Sequence, residues 1–247
     1  MVKVKPFRIL ILLIILIASY LGYHYGRSIW HPLYLKIRGK KTIEQVIKEV
    51  GVNAEARLKP YFDKASVSYP PVKVAILAFK TEKKIELWTD KDNKWVYIRT
   101  YPIAGASGNV GPKLREGDWQ VPEGIYQISA LNPNSSYHLS MKINYPNEYD
   151  MQKAKGENRS NLGGDIFIHG KSLSIGCIAI GDEPIEELFV LTDKIGIANI
   201  KVIISPNDMR QNKPIIDMQP APEWVDELYG IIKQELDKYS KSYSSSR

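Results

Sequence analysis

Apolar residues change their spacing along this chain. Residues 9–18 are an unbroken apolar run, and no charge occurs from Ile9 to Gly26. Further on, Ile43, Val46, Ile47 and Val50 recur at helical spacing. Thr42 supplies an N-cap and Gly51 reads as the stop of that helix. Beyond Pro70-Pro71 the pattern shortens into strand-like runs at 72–80, 84–90, 95–103, 124–130, 137–143, 165–170, 176–181 and 200–205. The alternation of Val74, Ile76 and Ala78 predicts a half-buried strand, and Lys91-Asp92-Asn93-Lys94 predicts a tight polar turn. One helix interrupts the strands, opening at Glu183-Pro184, with Ile185, Leu188, Phe189 and Thr192 as its inner face. A last amphipathic helix carries Trp224, Leu228, Ile231 and Ile232 and ends in a polar tail; it is expected to pack on the domain, with a membrane surface as the alternative. Many short strands separated by turn signals predict a mainly β fold, a sandwich with a few helices.

The N-terminal run decides how the rest is arranged. Lys3, Lys5 and Arg8 precede it, and the bulky Ser-Tyr-Leu-Gly-Tyr-His-Tyr that follows fits a cleavage site poorly. Tyr20, Tyr23, Tyr25 and Trp30 resemble an interfacial aromatic belt. Residues 1–30 are therefore expected to be an uncleaved signal-anchor: a single transmembrane helix in the inner membrane, with the remainder in the periplasm. A cleaved signal and a buried core helix are the alternatives. Residues 31–71 then form a juxtamembrane helical linker, 72–206 the main domain, and 207–247 a C-terminal helical extension.

Charge supports a membrane partner over a nucleic acid. The net +7 is concentrated in residues 1–64, with 12 Lys/Arg against 4 Asp/Glu, which leaves 22 against 23 for the rest. A nucleic-acid binder would carry its basic patch on the folded domain, so no nucleic-acid partner is expected. The pattern defines no oligomeric state.

The chain has one cysteine, Cys177, within the stretch IFIHGKSLSIGCIAIGD that spans residues 166–182. A lone thiol is either a small buried hydrophobe or a nucleophile. Thiolate chemistry requires a base, and His169 lies eight positions upstream. If 165–170 and 176–181 are neighbouring strands joined around Lys171–Ser174, the imidazole and thiol face each other across the pair. Gly176 permits close approach of a substrate, and the amides of Gly176 and Cys177 are candidate donors to an oxyanion.

His-Gly, a short spacer and Ser-x-Gly-Cys-Ile-Ala resemble the active-site signature of the L,D-transpeptidase (YkuD-type) family. GPKLREGDWQVPEGIYQI (111–128) and LNPNSSYHLSMKINYPNEYD (131–150) resemble further segments of the family's YafK-like branch, so the likeness covers roughly 72–206. The resemblance implies a YkuD-type β-sandwich as the catalytic domain. It implies Cys177 as nucleophile, His169 as general base, the Gly170 carbonyl orienting the imidazole, and Gly176 with Cys177 as oxyanion donors. Ser174 shapes the turn, while Tyr137, His138 and Lys171 are expected at the substrate. The implied reaction is thiolate attack on a diaminopimelate-containing peptidoglycan stem peptide and release of D-Ala. An amine or water then resolves the thioester, and no metal or organic cofactor takes part. Ile175 and Ala179 stand where commoner members have His and Arg, as in the YafK-like branch, and this leaves the acceptor open between transpeptidation and hydrolysis.

Other readings carry less. His138, Asp165, His169 and Cys177 match no common zinc spacing. Glu116, Asp118 and Glu123 read as solvated loop charges, as do Lys113 and Arg115. His138 is open between a structural and a substrate-contacting role. A non-catalytic wall-binding module is the alternative of another class, opposed by the Cys-His pair.

Overall fold

The computed structural model describes residues 6–240. The chain divides after Thr42 into two compact units. The first holds two helices, α1 (Pro6–Tyr25) and α2 (Arg27–Arg38). The ring of Tyr23 stacks on Trp30 at 5.5 Å and the Arg27 guanidinium lies 5.2 Å from the Trp30 ring. Among the described residues no helix is long and apolar enough to cross a membrane. That overturns the expected transmembrane anchor over residues 1–30, the partnership with the inner membrane and the single-pass placement with a periplasmic domain. The physical reason lies in the length of the apolar run. Ile9–Ala18 rises only about 15 Å as a helix, roughly half of a bilayer's hydrocarbon core, and tyrosines and His24 follow it. Lys3 and Lys5, on which the anchor reading leaned, lie outside the described residues, as does the polar tail from 241.

The second unit comprises α3 (Ile43–Lys64), β1 (Val74–Phe79), β2 (Lys84–Lys91), β3 (Lys94–Pro102), β4 (Gly105–Ala106), β5 (Gly124–Ser135), β6 (His138–Ile143), α4 (Glu148–Gly156), β7 (Phe167–His169), β8 (Ile178–Ala179), α5 (Asp182–Ile195), β9 (Ile200–Ser205) and α6 (Val225–Leu236). Asp92 and Asn93, at φ 53° and 61°, make the tight turn between β2 and β3. The strands form one nine-stranded mixed sheet in the order β3-β2-β1-β9-β5-β6-β7-β8-β4. β1 pairs with β9 and β7 with β8 in parallel, and the remaining pairs are antiparallel.

This corrects the expected sandwich. The twelve-residue β5 pairs with β9 through Gly124–Gln127 and with β6 from Ile128 onward, so one strand carries the sheet through. Its register shifts between Ile128 and Ala130, where a bulge turns the strand. Short alternating runs look the same in one bent sheet as in two stacked ones, so periodicity could not separate them.

β1 also differs from expectation, since all six of its residues are buried. Val74, Ile76 and Ala78 join the larger core, which also holds Val46, Leu58 and Phe62 of α3 and Ile185, Leu188 and Phe189 of α5. Ala75, Leu77 and Phe79 face a second core with Leu228, Tyr229, Ile232 and Leu236 of α6. A strand covered on both faces needs a continuous apolar run, and VAILAF is one. Gly51 does not stop α3: it is buried inside a helix that continues to Lys64. A Cβ there would meet only Ile47 Cγ2 of the same helix, at 3.4 Å, an ordinary contact, so neither packing nor backbone angle demands a glycine at this position.

Candidate active site

Sheet pairing builds the site around Cys177. Parallel β7 and β8 align Ile168 with Ile178 and His169 with Ala179, so Cys177 stands one step before the paired segment, level with Phe167. The expected arrangement of neighbouring strands is present, but they run in parallel, and the link from Gly170 to Gly176 has to return the chain to the start of the next strand. Strand alternation puts residues 169, 177 and 179 on one face. The partly exposed thiol sits among backbone groups: Sγ accepts the Phe167 N–H at 3.4 Å and donates toward the Asp165 carbonyl at 3.7 Å. Burial raises its pKa above the ordinary 9.0, opposed by the Phe167 N–H.

His169 is 3% exposed. Its Nδ1 donates to the Gly170 carbonyl at 2.7 Å, which leaves Nε2 as the basic nitrogen. Burial lowers the imidazole below its ordinary 6.5, and the Gly170 bond works against that. The Tyr137 ring lies against the imidazole, centroids 4.8 Å apart. Gly170 has no room for a side chain, since a Cβ would fall 2.7 Å from both Asp182 Oδ1 and the Tyr137 carbonyl.

The other expected contacts bond within the protein. His138, at φ 76°, closes the turn between β5 and β6, and its Nε2 pairs with Glu186 Oε1 at 2.9 Å. Glu186 also holds Arg57 at 2.7 Å. The Lys171 ammonium is paired with Asp182, whose other oxygen takes the Lys171 N–H at 2.9 Å. The Ser174 hydroxyl donates to the Cys177 carbonyl at 2.6 Å and accepts the Cys177 N–H at 3.1 Å, locking the turn.

Ser107 had no motif to announce it. Its Oγ accepts the Gly176 N–H at 2.5 Å and donates to the Trp119 carbonyl at 2.8 Å. Both amides expected to serve an oxyanion are thus occupied by hydroxyls. Of the loop charges, Arg115 and Glu116 are exposed as expected, whereas Lys113, Asp118 and Glu123 are not solvated. Asp118 receives Lys113 at 2.5 Å together with the N–H groups of Leu114, Arg115 and Gln120. Glu123 is fully buried on Lys80 at 3.0 Å. Among the described residues no group of three or more His, Cys, Asp or Glu is arranged to hold a metal ion.

A sheet that carries His-Gly on one strand and Gly-Cys at the start of its parallel neighbour agrees with the sequence family that matches residues 73–204, the YkuD L,D-transpeptidase catalytic domain. The chain belongs to that family. Within it, the chain is 36% identical over 118 residues to "Putative L,D-transpeptidase YafK" of Escherichia coli (strain K12), covering 47% of this chain and 46% of that one; the match in strain O157:H7 has the same figures. The chain thus spans about half the length of these relatives. Similar solved structures include the helical cell shape determining protein Pgp2 from Campylobacter jejuni, at 19% identity and TM-score 0.43 over 76% of this chain and 78% of that one. Bdellovibrio bacteriovorus Bd1075 matches at 21% identity and TM-score 0.43, over 69% of this chain and 56% of that one.

Proposed function

We propose that the protein is a cysteine L,D-transpeptidase acting on diaminopimelate-containing stem peptides of peptidoglycan. The observation that carries this reading is the His169 imidazole, tied through Nδ1 to Gly170 and aligned with the strand that Cys177 opens. Family membership supports the substrate class.

Burial pushes the thiol up and the imidazole down, so the resting pair is neutral. The Cys177 proton passes to His169 Nε2 as sulfur attacks the carbonyl carbon that joins diaminopimelate to D-Ala. Collapse of the tetrahedral adduct breaks the carbon–nitrogen bond, and His169 returns the proton to the leaving D-Ala amine. The thioester left on Cys177 is attacked by an amine of a second stem, whose proton goes to His169 and then back to the thiolate.

A second reading, hydrolysis of the thioester by water, is favoured by the state of the cations. A stem acceptor carries carboxylates, but Lys171 is paired with Asp182 and Lys113 is held by Asp118. Ala179, where commoner members have Arg, is fully buried in the sheet, and Ala offers no planar fork for a carboxylate. Incubating the protein with purified tetrapeptide fragments and weighing the products separates the readings. Diaminopimelate–diaminopimelate dimers with loss of D-Ala support the transpeptidase, tripeptide alone supports the hydrolase, and unchanged tetrapeptide overturns both.

A further inference from the structure

β4 pairs antiparallel with β8, Gly105 opposite Ala179 and Ala106 opposite Ile178. One more step along that register puts Ser107 opposite Cys177. The segment is clamped there from both sides. A Cβ on Gly105 would fall 2.0 Å from the Ser172 carbonyl oxygen, and one on Gly108 would fall 1.9 Å from Gln120 Oε1. Ser107 is partly exposed, so a ligand at the thiol can reach it.

The amides of Gly176 and Cys177 already donate to Ser107 Oγ and Ser174 Oγ. Ser174 uses its own proton on the Cys177 carbonyl within the same turn. Ser107 instead donates to the Trp119 carbonyl, across to another loop, and rotation about its Cβ–Oγ bond redirects that proton without moving a heavy atom. We propose that Ser107 is a further catalytic residue: its hydroxyl, held and polarised by the Gly176 N–H, turns from Trp119 to donate a hydrogen bond to the oxyanion formed when Cys177 attacks a carbonyl. The hydroxyl keeps its proton throughout, so no bond is made or broken at Ser107. A hydroxyl that accepts a short bond is a better donor, and preorganised side-chain donors of this kind stabilise developing oxyanions.

The inference rests on Cys177 being the nucleophile of the proposed reaction, but its test is independent of the stem peptide. Two reagents are compared on full-length protein, with Cys177→Ser as the blank. Acylation by p-nitrophenyl acetate passes through an oxyanion, whereas alkylation by iodoacetamide does not. Ser107→Ala is expected to slow acylation about 10²-fold, the usual cost of losing one such donor, while alkylation stays within about twofold. Ser107→Thr, which retains the hydroxyl, is expected to recover most of the acylation rate. Acylation that is unchanged in Ser107→Ala overturns the proposal. An equal fall in both reactions also overturns it, because that marks a role in holding the loop, as does wild-type acylation no faster than the blank. Normal acylation behaviour with inert tetrapeptide would instead sink the substrate assignment and leave Ser107 standing.

Discussion

Replacing Glu123 by Gln should be among the most damaging single changes outside the site. The carboxylate has no exposed surface and Lys80, its partner at 3.0 Å, is 7% exposed. Glu123 also accepts the Gly111 N–H at 2.8 Å and the Tyr229 hydroxyl at 2.7 Å. Removing one member of a buried ion pair costs about 3–5 kcal/mol. Gln still accepts hydrogen bonds, and Lys80 keeps the Gly111 and Val121 carbonyls at 3.1 and 3.0 Å, so the lower end, about 3 kcal/mol, is expected. For a unit of roughly 200 residues, unfolding entropy of about 0.4 kcal/mol/K turns this into a fall in Tm of about 7 °C. The loss should also depend on pH. Burial already lowers Lys80 below its ordinary 10.5, and losing the carboxylate lowers it further. A lysine whose folded pKa is depressed costs stability at pH values below that pKa. The cost shrinks as pH rises toward the unfolded value, because the unfolded chain then loses its proton advantage. Urea unfolding at pH 7 and pH 9.5 should therefore show the larger deficit at pH 7. A deficit below about 1 kcal/mol, or the same deficit at both pH values, would refute the reasoning.

Cys177→Ser and His169→Ala should each lower turnover of tetrapeptide by at least about 10²-fold with Tm little changed, measured by product mass and calorimetry; more than about a tenth of wild-type rate in either sinks the assigned roles. With the imidazole below 6.5 and the thiol above 9.0, kcat/KM should fall on the acid side only below about pH 6.5, and iodoacetamide alkylation should still be rising at pH 9; an alkylation midpoint near neutrality would reveal a preformed ion pair. Gly170→Ala should lose about 1–3 kcal/mol of stability through overpacking, with at least tenfold lower turnover, because its Cβ displaces Tyr137 or Asp182 and with them the His169 tether. A variant with wild-type kcat in a steady-state assay would contradict that geometry.

Cys177, His169 and Gly170 were legible because one short stretch of chain holds all three, and the chemistry of thiol and imidazole depends on residue type. Ser107 was not legible. It meets Gly176 only through the β4–β8 pairing, 69 positions away along the chain, and a serine before a glycine is common in loops. Glu123 and Asp118 were misread for a related reason: a charge between Gly and Pro residues is normally solvated, and only pairing with Lys80 from the end of β1, and with Lys113 five positions upstream in the same loop, withdraws them from water. Alternation in β1 identified one buried face correctly, but it could not say that α6, more than a hundred residues later, covers the other. The end of α3 was missed because a glycine signals a helix stop by its backbone angles, which sequence does not display.

The family match ends at 204, yet α6 lies beyond it and covers Ala75, Leu77, Phe79 and Ile203. A recombinant fragment trimmed to 73–204 would bare these side chains to water, and it would lose the Tyr229 hydroxyl that Glu123 holds. It would also lack α3, whose Leu58 and Phe62 fill the opposite core. The evolutionary unit is therefore smaller than the folding unit. The piece of chain to express for solution work runs from about residue 43 to at least residue 240, and a tag belongs beyond Tyr239, whose side chain is itself buried.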